Sequence, residues 1–196
     1  MSKAEETRTK IIRQAADLFN QQGYAGVSMA DIMAATGLKK GGIYNHFASK
    51  DELALEAFEF AAQQVSQRYA ASAQAETTAI GRLKAVTHTF LTAPQELSLQ
   101  GGCPLMNAAI ESDDAHPALR AQTQRAMDRR RTVLRRTVQQ GMRSGEISPT
   151  VEADAVATIM IATLEGALML TQLYGDPTHL QRAQEHLDDY VERLRP

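Results

Sequence analysis

Residues 28–53, SMADIMAATGLKKGGIYNHFASKDEL, constrain the fold more tightly than any other stretch of this 196-residue chain. Ser28 is placed to cap a helix, with Asp31 three positions on as a short-armed capping box. Ile32 and Ala35 give that helix an apolar side. Gly37 ends it, because glycine accepts the left-handed backbone of a tight inter-helix turn. Leu38, Ile43 and Phe47 face back onto the first helix, and Ser49 with Glu52 forms an S-x-x-E box for the next. Two helices joined by a three- or four-residue turn form a helix-turn-helix, whose second helix enters the major groove of DNA. Here that second helix carries Lys39, Lys40, Tyr44, Asn45 and His46, all able to reach phosphates or base edges.

Charge is distributed to match. The net charge is −2, which is not that of a wholly basic nucleic-acid binder. Residues 1–50 hold seven Lys/Arg against four Asp/Glu, leaving 14 against 19 in the remainder. A basic head on an acidic body fits one end that binds DNA and a body that avoids it. A single cysteine, Cys103, excludes an intramolecular disulfide and suits a reducing compartment. Neither an N-terminal apolar run nor an arginine-rich leader is seen, so a cytoplasmic location is expected. Residues 155–173 are 19 long with one charge and raise the question of a membrane span. Glu165 at mid-segment, three threonines and the lack of flanking Lys/Arg argue for a helix buried on both sides instead.

No stretch alternates at period two, and the chain reads as all-α. Helices are expected over about 4–22, 28–35, 39–46, 49–73, 77–92, 104–112 and 117–145. The fifth should stop before Pro94. Ser148-Pro149 and Asp176-Pro177 should open the last two by the cap-plus-proline signal. The final helix places Leu180, Ala183, Leu187, Tyr190, Val191 and Leu194 on one stripe. A two-faced apolar helix followed by such a stripe suggests a pair that packs on its symmetry mate as a four-helix bundle, with a purely internal core as the alternative.

Lys40-Gly41-Gly42-Ile43-Tyr44-Asn45-His46-Phe47, with Lys50 and Leu53, resembles the recognition-helix signature of TetR/AcrR-family transcriptional regulators. Ile11-Ile12, Ala15-Ala16, Leu18-Phe19, Gly23-Tyr24, Ser28-Met29 and Asp31-Ile32 resemble that family's first helix and its entry into the second. The likeness covers about the first 60 residues. It implies a helix-turn-helix DNA-binding domain at 1–48 and a larger helical regulatory and dimerisation domain at 49–196. It also implies a homodimer through about residues 151–194. By the same resemblance Tyr44, His46 and Lys50 contact phosphates. Lys39, Lys40 and Asn45 reach base edges or nearby phosphates, Gly41 and Gly42 allow close approach, and Ser28 belongs to the same surface. Met33 and Thr36 stand where the family commonly has alanine, and Gly42 where it often has Thr or Ser, which removes one hydroxyl contact.

Cys103, between glycines and Pro104, is expected at a helix N-cap, where the dipole favours thiolate. The run Gly102-Cys103-Pro104-Leu105-Met106-Asn107 with Glu111 resembles a subgroup with a cysteine at the start of the sixth helix, some of whose members sense electrophiles or oxidants. A small buried side chain is the alternative. Ligand or redox-sensing candidates are thus Cys103, His88, Met106 and Asn107. By the resemblance Phe58, Phe90, Met127, Met160 and Met169 lie on helices that form a ligand cavity, but each reads first as core. Glu111, Asp113, Asp114 and His116 could hold a metal, but read better as solvated connectors and caps. Arg125, Arg129, Arg130, Arg131, Arg135 and Arg136 form a basic helix that reads as a solvated, ion-paired face. The expected function is a ligand- or electrophile-responsive repressor that binds a palindromic operator as a dimer. It should not be an enzyme, and no cofactor or metal is expected. Its partners would be duplex DNA, a second copy and a small-molecule inducer. The rivals are a metal-dependent helical enzyme and an interaction adaptor with a degenerate DNA module.

Overall fold

The computed structural model describes residues 2–96, 101–112 and 116–196. Among them lie nine α-helices and no strand: α1 Lys3–Gly26, α2 Met29–Thr36, α3 Lys40–Tyr44, α4 Lys50–Gln74, α5 Ala79–Glu96, α6 Pro104–Glu111, α7 Pro117–Arg143, α8 Ala153–Tyr174 and α9 Thr178–Glu192. They form two compact units, one of Met1–Gln64 with Leu97–Ala126, the other of Val65–Glu96 with Met127–Pro196.

In the first unit the core is built from Ile11 and Ala15 of α1, Ile32 of α2, Ile43 of α3, Phe47, and Leu53 and Ala57 of α4, all buried. The turn chemistry works as the sequence predicts. Ser28 Oγ accepts from Asp31 N–H at 3.2 Å, and the Asp31 carboxylate accepts from Ser28 N–H at 2.8 Å. Gly37 takes φ 70° and donates its N–H to Met33 O. Thr36, the departure from alanine, is buried and turns its hydroxyl onto Ile32 O at 2.7 Å. That bond satisfies the polar atom inside α2, so the change costs the packing little. Lys10 donates to Thr36 O at 2.8 Å and closes the end of α2. Ser49 Oγ accepts from Glu52 N–H at 3.1 Å, while Glu52 reaches back to Ala48 N–H at 2.7 Å. Helix α3 is shorter than the 39–46 expected. Two glycines in five residues weaken it, and His46 and Phe47 close a turn by donating to Ile43 O.

In the second unit α9 packs on α8 and α5. Its stripe of Leu180, Ala183, Leu187 and Val191 is buried within the chain, so that stripe is internal core rather than a contact for a second copy. Glu146 accepts from the first two amides of α5, Ala79 and Ile80, at 2.7 and 2.9 Å. Arg130 pairs with Glu165 at 2.6 Å, with both side chains nearly buried. Its guanidinium lies 5.2 Å from the Tyr69 ring centroid and 5.4 Å from that of Phe90. Glu165, the charge that interrupts the apolar run, is therefore neutralised inside this unit. Helix α8 is the one described helix long and apolar enough by composition to cross a membrane. The basic face of α7 is in part ion-paired, with Arg131 at 2.7 Å and Arg135 at 3.5 Å from Asp154, but Arg130 is not solvated.

Two expected boundaries are corrected. Helix α5 runs to Glu96, past Pro94. A proline this close to a helix end forfeits one backbone bond and leaves little helix beyond it to break. Ser148-Pro149 does not open α8. Ser148 N–H instead donates to Leu194 O at 2.8 Å, and the N-cap is Glu152, which accepts from Asp154 and Ala155 N–H. Residues 97–100, between the expected fifth and sixth helices, and Asp113 and Asp114, lie outside the described residues.

Candidate nucleic-acid interface

The outer surface of α3 and its flanks is cationic by construction. From Ile32 to Lys50 the sequence holds three lysines and no acid. Lys39, the N-cap residue of α3, makes no side-chain cap bond and is exposed, as are Lys40, Gly41 and Asn45. Tyr44 is 41% exposed, while Ile43 and Phe47 beside it are buried. The fold thus divides these neighbours. Ile43 and Phe47 anchor the helix, and Tyr44 is held outward with the Lys40 ammonium 5.6 Å from its ring centroid. His46 is half-buried against the Phe47 ring. Ser28 is exposed but its hydroxyl is engaged in the α2 capping box.

The two glycines have no internal reason to be there. Neither has a positive φ. A Cβ on Gly41 would meet no atom within 4 Å, and one on Gly42 only the Leu38 side chain at ordinary contact distance, 3.5 Å. Each costs the helix roughly 1 kcal/mol relative to alanine. A backbone left bare on an exposed cationic helix is one that a second surface can approach closely.

Lys50 is differently placed from the other lysines. Its ammonium donates to Tyr24 O at 2.6 Å and lies 4.1 Å from that ring's centroid. The Tyr24 hydroxyl donates to the Asp51 carboxylate. Partial burial, the Asp51 hydrogen bond and the nearby charges of Asp51 and Glu111 push the phenol up to about 12, so it stays protonated at neutral pH. Sequence reasoning gives Tyr24 no role beyond its place in a family-like run, and reads Glu111 as a solvated connector or cap rather than a metal ligand. What joins them is a contact across 87 residues, which periodicity does not report.

The sensing candidates separate. Cys103 is the N-cap residue of α6, as expected, with Pro104 first in the helix, and the thiol is buried at 7% exposure. Met106 and Asn107 follow it on α6, both half-buried. Next to them a small cavity of about 40 Å³ is lined by Asn20, Tyr24, Ala57, Asn107 and Glu111 among others. His88 belongs to the other unit. It is exposed, with Nε2 3.1 Å from an Asp188 carboxylate oxygen. Among the described residues no group of three or more His, Cys, Asp or Glu could hold a metal. Glu111 and His116 are committed elsewhere: Glu111 accepts backbone amides of α1, and His116 Nδ1 accepts from Leu119 N–H at 3.1 Å at the start of α7.

Residues 11–57 match the family model for bacterial regulatory proteins of the tetR family, and residues 79–187 match that for the tetracyclin repressor-like C-terminal domain. The chain belongs to the TetR family of transcriptional regulators. A TetR-family regulator from Chloroflexus aurantiacus J-10-FL is 46% identical in sequence and superposes with a TM-score of 0.93, over 97% of this chain and 96% of that one. A second, from Cytophaga hutchinsonii, is 32% identical with a TM-score of 0.89, over 100% and 98%. The transcriptional regulator CymR of Pseudomonas putida is 32% identical over 135 residues, 67% of this chain, and the match spans 63% of CymR. The transcriptional repressor DhaR of Mycobacterium sp. strain GP1 is 25% identical over 190 residues, 94% of this chain and 88% of DhaR. This TetR-family protein is thus a helix-turn-helix transcriptional regulator and not an enzyme.

Proposed function

We propose that this TetR-family regulator is a cytoplasmic repressor that binds a near-palindromic operator as a homodimer. The division of labour falls at residues 48/49, with a reading head before and a regulatory and dimerisation domain after. Helix α3 enters the major groove. Lys39, Lys40 and Asn45 reach base edges or adjacent phosphates, Tyr44 and His46 bear on the backbone, and Gly41 and Gly42 admit the sugar–phosphate wall. Lys50, held by Tyr24 in the free protein, joins the phosphate contacts from the start of α4. The observation that carries this reading is an exposed, acid-free cationic helix whose glycines nothing inside the chain requires.

Repression is relieved by a small molecule or by modification of Cys103. Half-sites one helical turn apart require reading heads about 34–36 Å apart, so a small rotation lowers affinity. Cys103 is buried, so its thiol must be uncovered before an electrophile reaches it. Cys103→Ser is expected to keep DNA binding and lose any maleimide response.

A footprint on the DNA upstream of the protein's own coding region tests the reading. Protection of a two-fold symmetric site, weakening steeply with salt as counterions are released, is the expected result. No protected site on any genomic fragment at low salt would overturn it.

A further inference from the structure

We propose that Asn107 and Glu111 are positioning residues that clasp α6 to the end of α1 and thereby fix the entry into the reading head. The proposal rests on the operator-binding reading above. The two side chains lie one turn apart on α6 and both reach the last seven residues of α1, just ahead of Ser28 and α2.

The Glu111 end is a helix cap supplied from another helix. Gly23, at φ 76° and ψ 165°, interrupts α1. A helical segment restarting after such a break has amides with no carbonyl one turn back. Glu111 takes two of them: Oε2 accepts from Tyr24 N–H at 2.7 Å and Oε1 from Ala25 N–H at 2.8 Å. Bonds to an ionised acceptor are about twice as strong as neutral ones. A Cβ on Gly23 would lie 2.8 Å from Glu111 Oε1, so residue 23 must be bare both for its backbone angle and for the carboxylate to come in.

The Asn107 end is built from amides. Asn107 Nδ2 lies within bonding distance of Asn20 O and Asn20 Oδ1, each at 3.1 Å, and of Gly101 O at 2.8 Å. Asn20 Nδ2 donates back to Gly102 O at 3.0 Å. Gly101 lies so close that a Cβ there would be 2.3 Å from Asn20 O. The turn that leads into Cys103 therefore rests directly on α1. The adjoining cavity of about 40 Å³ is lined by alanines such as Ala16 and Ala108 together with Phe19, Phe58 and Leu119. Directional bonds fix the register of two helices more sharply than non-directional apolar contact does. Glu111 and Asn107 thus decide where α1 ends and at what angle α2 begins. A shift of the 101–111 segment draws the carboxylate off Tyr24 and Ala25 and frees the head.

The test uses the full-length protein with Glu111→Ala, Glu111→Gln and Asn107→Ala, and a duplex selected from random sequence by the wild type. In Glu111→Ala, Tyr24 and Ala25 amides should exchange with solvent at least about tenfold faster, while the amides of α2 keep their protection. Affinity for the selected duplex should fall about tenfold, the loss expected of one charge-assisted bond, with less effect in Glu111→Gln. Affinity for random-sequence DNA should be unchanged, because the phosphate contacts remain. Maleimide at Cys103 should lower operator affinity in the wild type and add nothing further in Glu111→Ala. Unchanged exchange of the two amides, or faster exchange with selected-duplex affinity within twofold of wild type, would overturn the proposal. If Glu111→Ala does not fold, Glu111→Gln is read by the same criteria. If the wild type selects no duplex, it is the operator-binding reading that fails, and the amide exchange still decides whether the clasp exists.

Discussion

Helices α3 and α8 both present side chains that the chain does not cover, and they present opposite chemistries. On α3 and its two cap residues the uncovered groups are Lys39, Lys40, Tyr44 and Asn45, cations and hydrogen-bonding groups around a bare glycine backbone. On α8 they include the large apolar side chains Ile159, Met169, Leu170, Leu173 and Tyr174, with Thr158 and Gln172 exposed beside them. Water solvates the first set at little cost and the second poorly. A cationic face left open suits a polyanion that is bound and released. An apolar face left open suits a lasting partner, and a second copy of the same chain is the simplest. The ion pair of Arg130 with Glu165 lies on the inward side of α8, so the outward apolar residues are not needed to neutralise it.

The largest expected effect breaks the α8 side of this comparison. Leu173→Glu with Tyr174→Glu places two charges where the wild type is 70% and 67% exposed, so the monomer should fold. The dimer should weaken by about 100-fold or more, since charges buried at an interface go unpaired. Sedimentation should then show monomers where the wild type is dimeric. An unchanged dimer would mean α8 is not the interface. Leu187→Glu is the control: at 0% exposure it should unfold the chain, whatever the assembly.

Next comes α3. Tyr44→Ala should weaken specific and random DNA alike, by about tenfold, as expected for a backbone contact. Lys39→Ala should lower the salt slope by about one and relax sequence preference if the side chain reads a base. A preference left intact would place Lys39 on phosphate alone.

Gly41→Ala sharpens the contrast, because fold and function should move in opposite directions. With room for the methyl group, the variant should gain about 0.5–1 kcal/mol in urea unfolding and bind operator less tightly. Gained stability with unchanged binding would remove DNA approach as the reason for the glycine.

The smallest effect is a pH dependence. Hydrogen bonds from the Ser28 hydroxyl and backbone hold the exposed Asp31 carboxyl below its usual 3.8. A folded value below the unfolded one means the box stabilises α2 fully above 3.8, and the stabilisation is lost as pH falls through the lowered value. Ser28→Ala should cost about 1 kcal/mol at neutral pH and less in acid. Urea titrations at both pH values measure the difference, and an equal cost at both would discount the pair.

Much of the reading head, and the start of α6, is legible in the sequence because the signals are local. Ser28 with Asp31, Gly37, and Cys103 followed by Pro104 act over three or four residues, and each occupies the role its spacing predicts. Ser148-Pro149 shows where local reading stops. The pair has the form of a helix start, yet Ser148 is spent on Leu194 O and the helix waits for Glu152. The stripe on α9 shows the same limit in packing. Its period was right, but the surface it meets is α5 and α8 of its own chain.

The sequence by itself determined the helical class, the turn between α2 and α3, and the basic character of the first 50 residues. Backbone preference, capping and charge count are properties of neighbours along the chain. Only the tertiary structure decided that Glu111 caps amides 86 and 87 residues away, that Lys50 is held by Tyr24, and which face of α8 stays open. Periodicity tells which residues share a face, but the partner of that face depends on long-range packing, where the competing pairings differ by only a few kcal/mol.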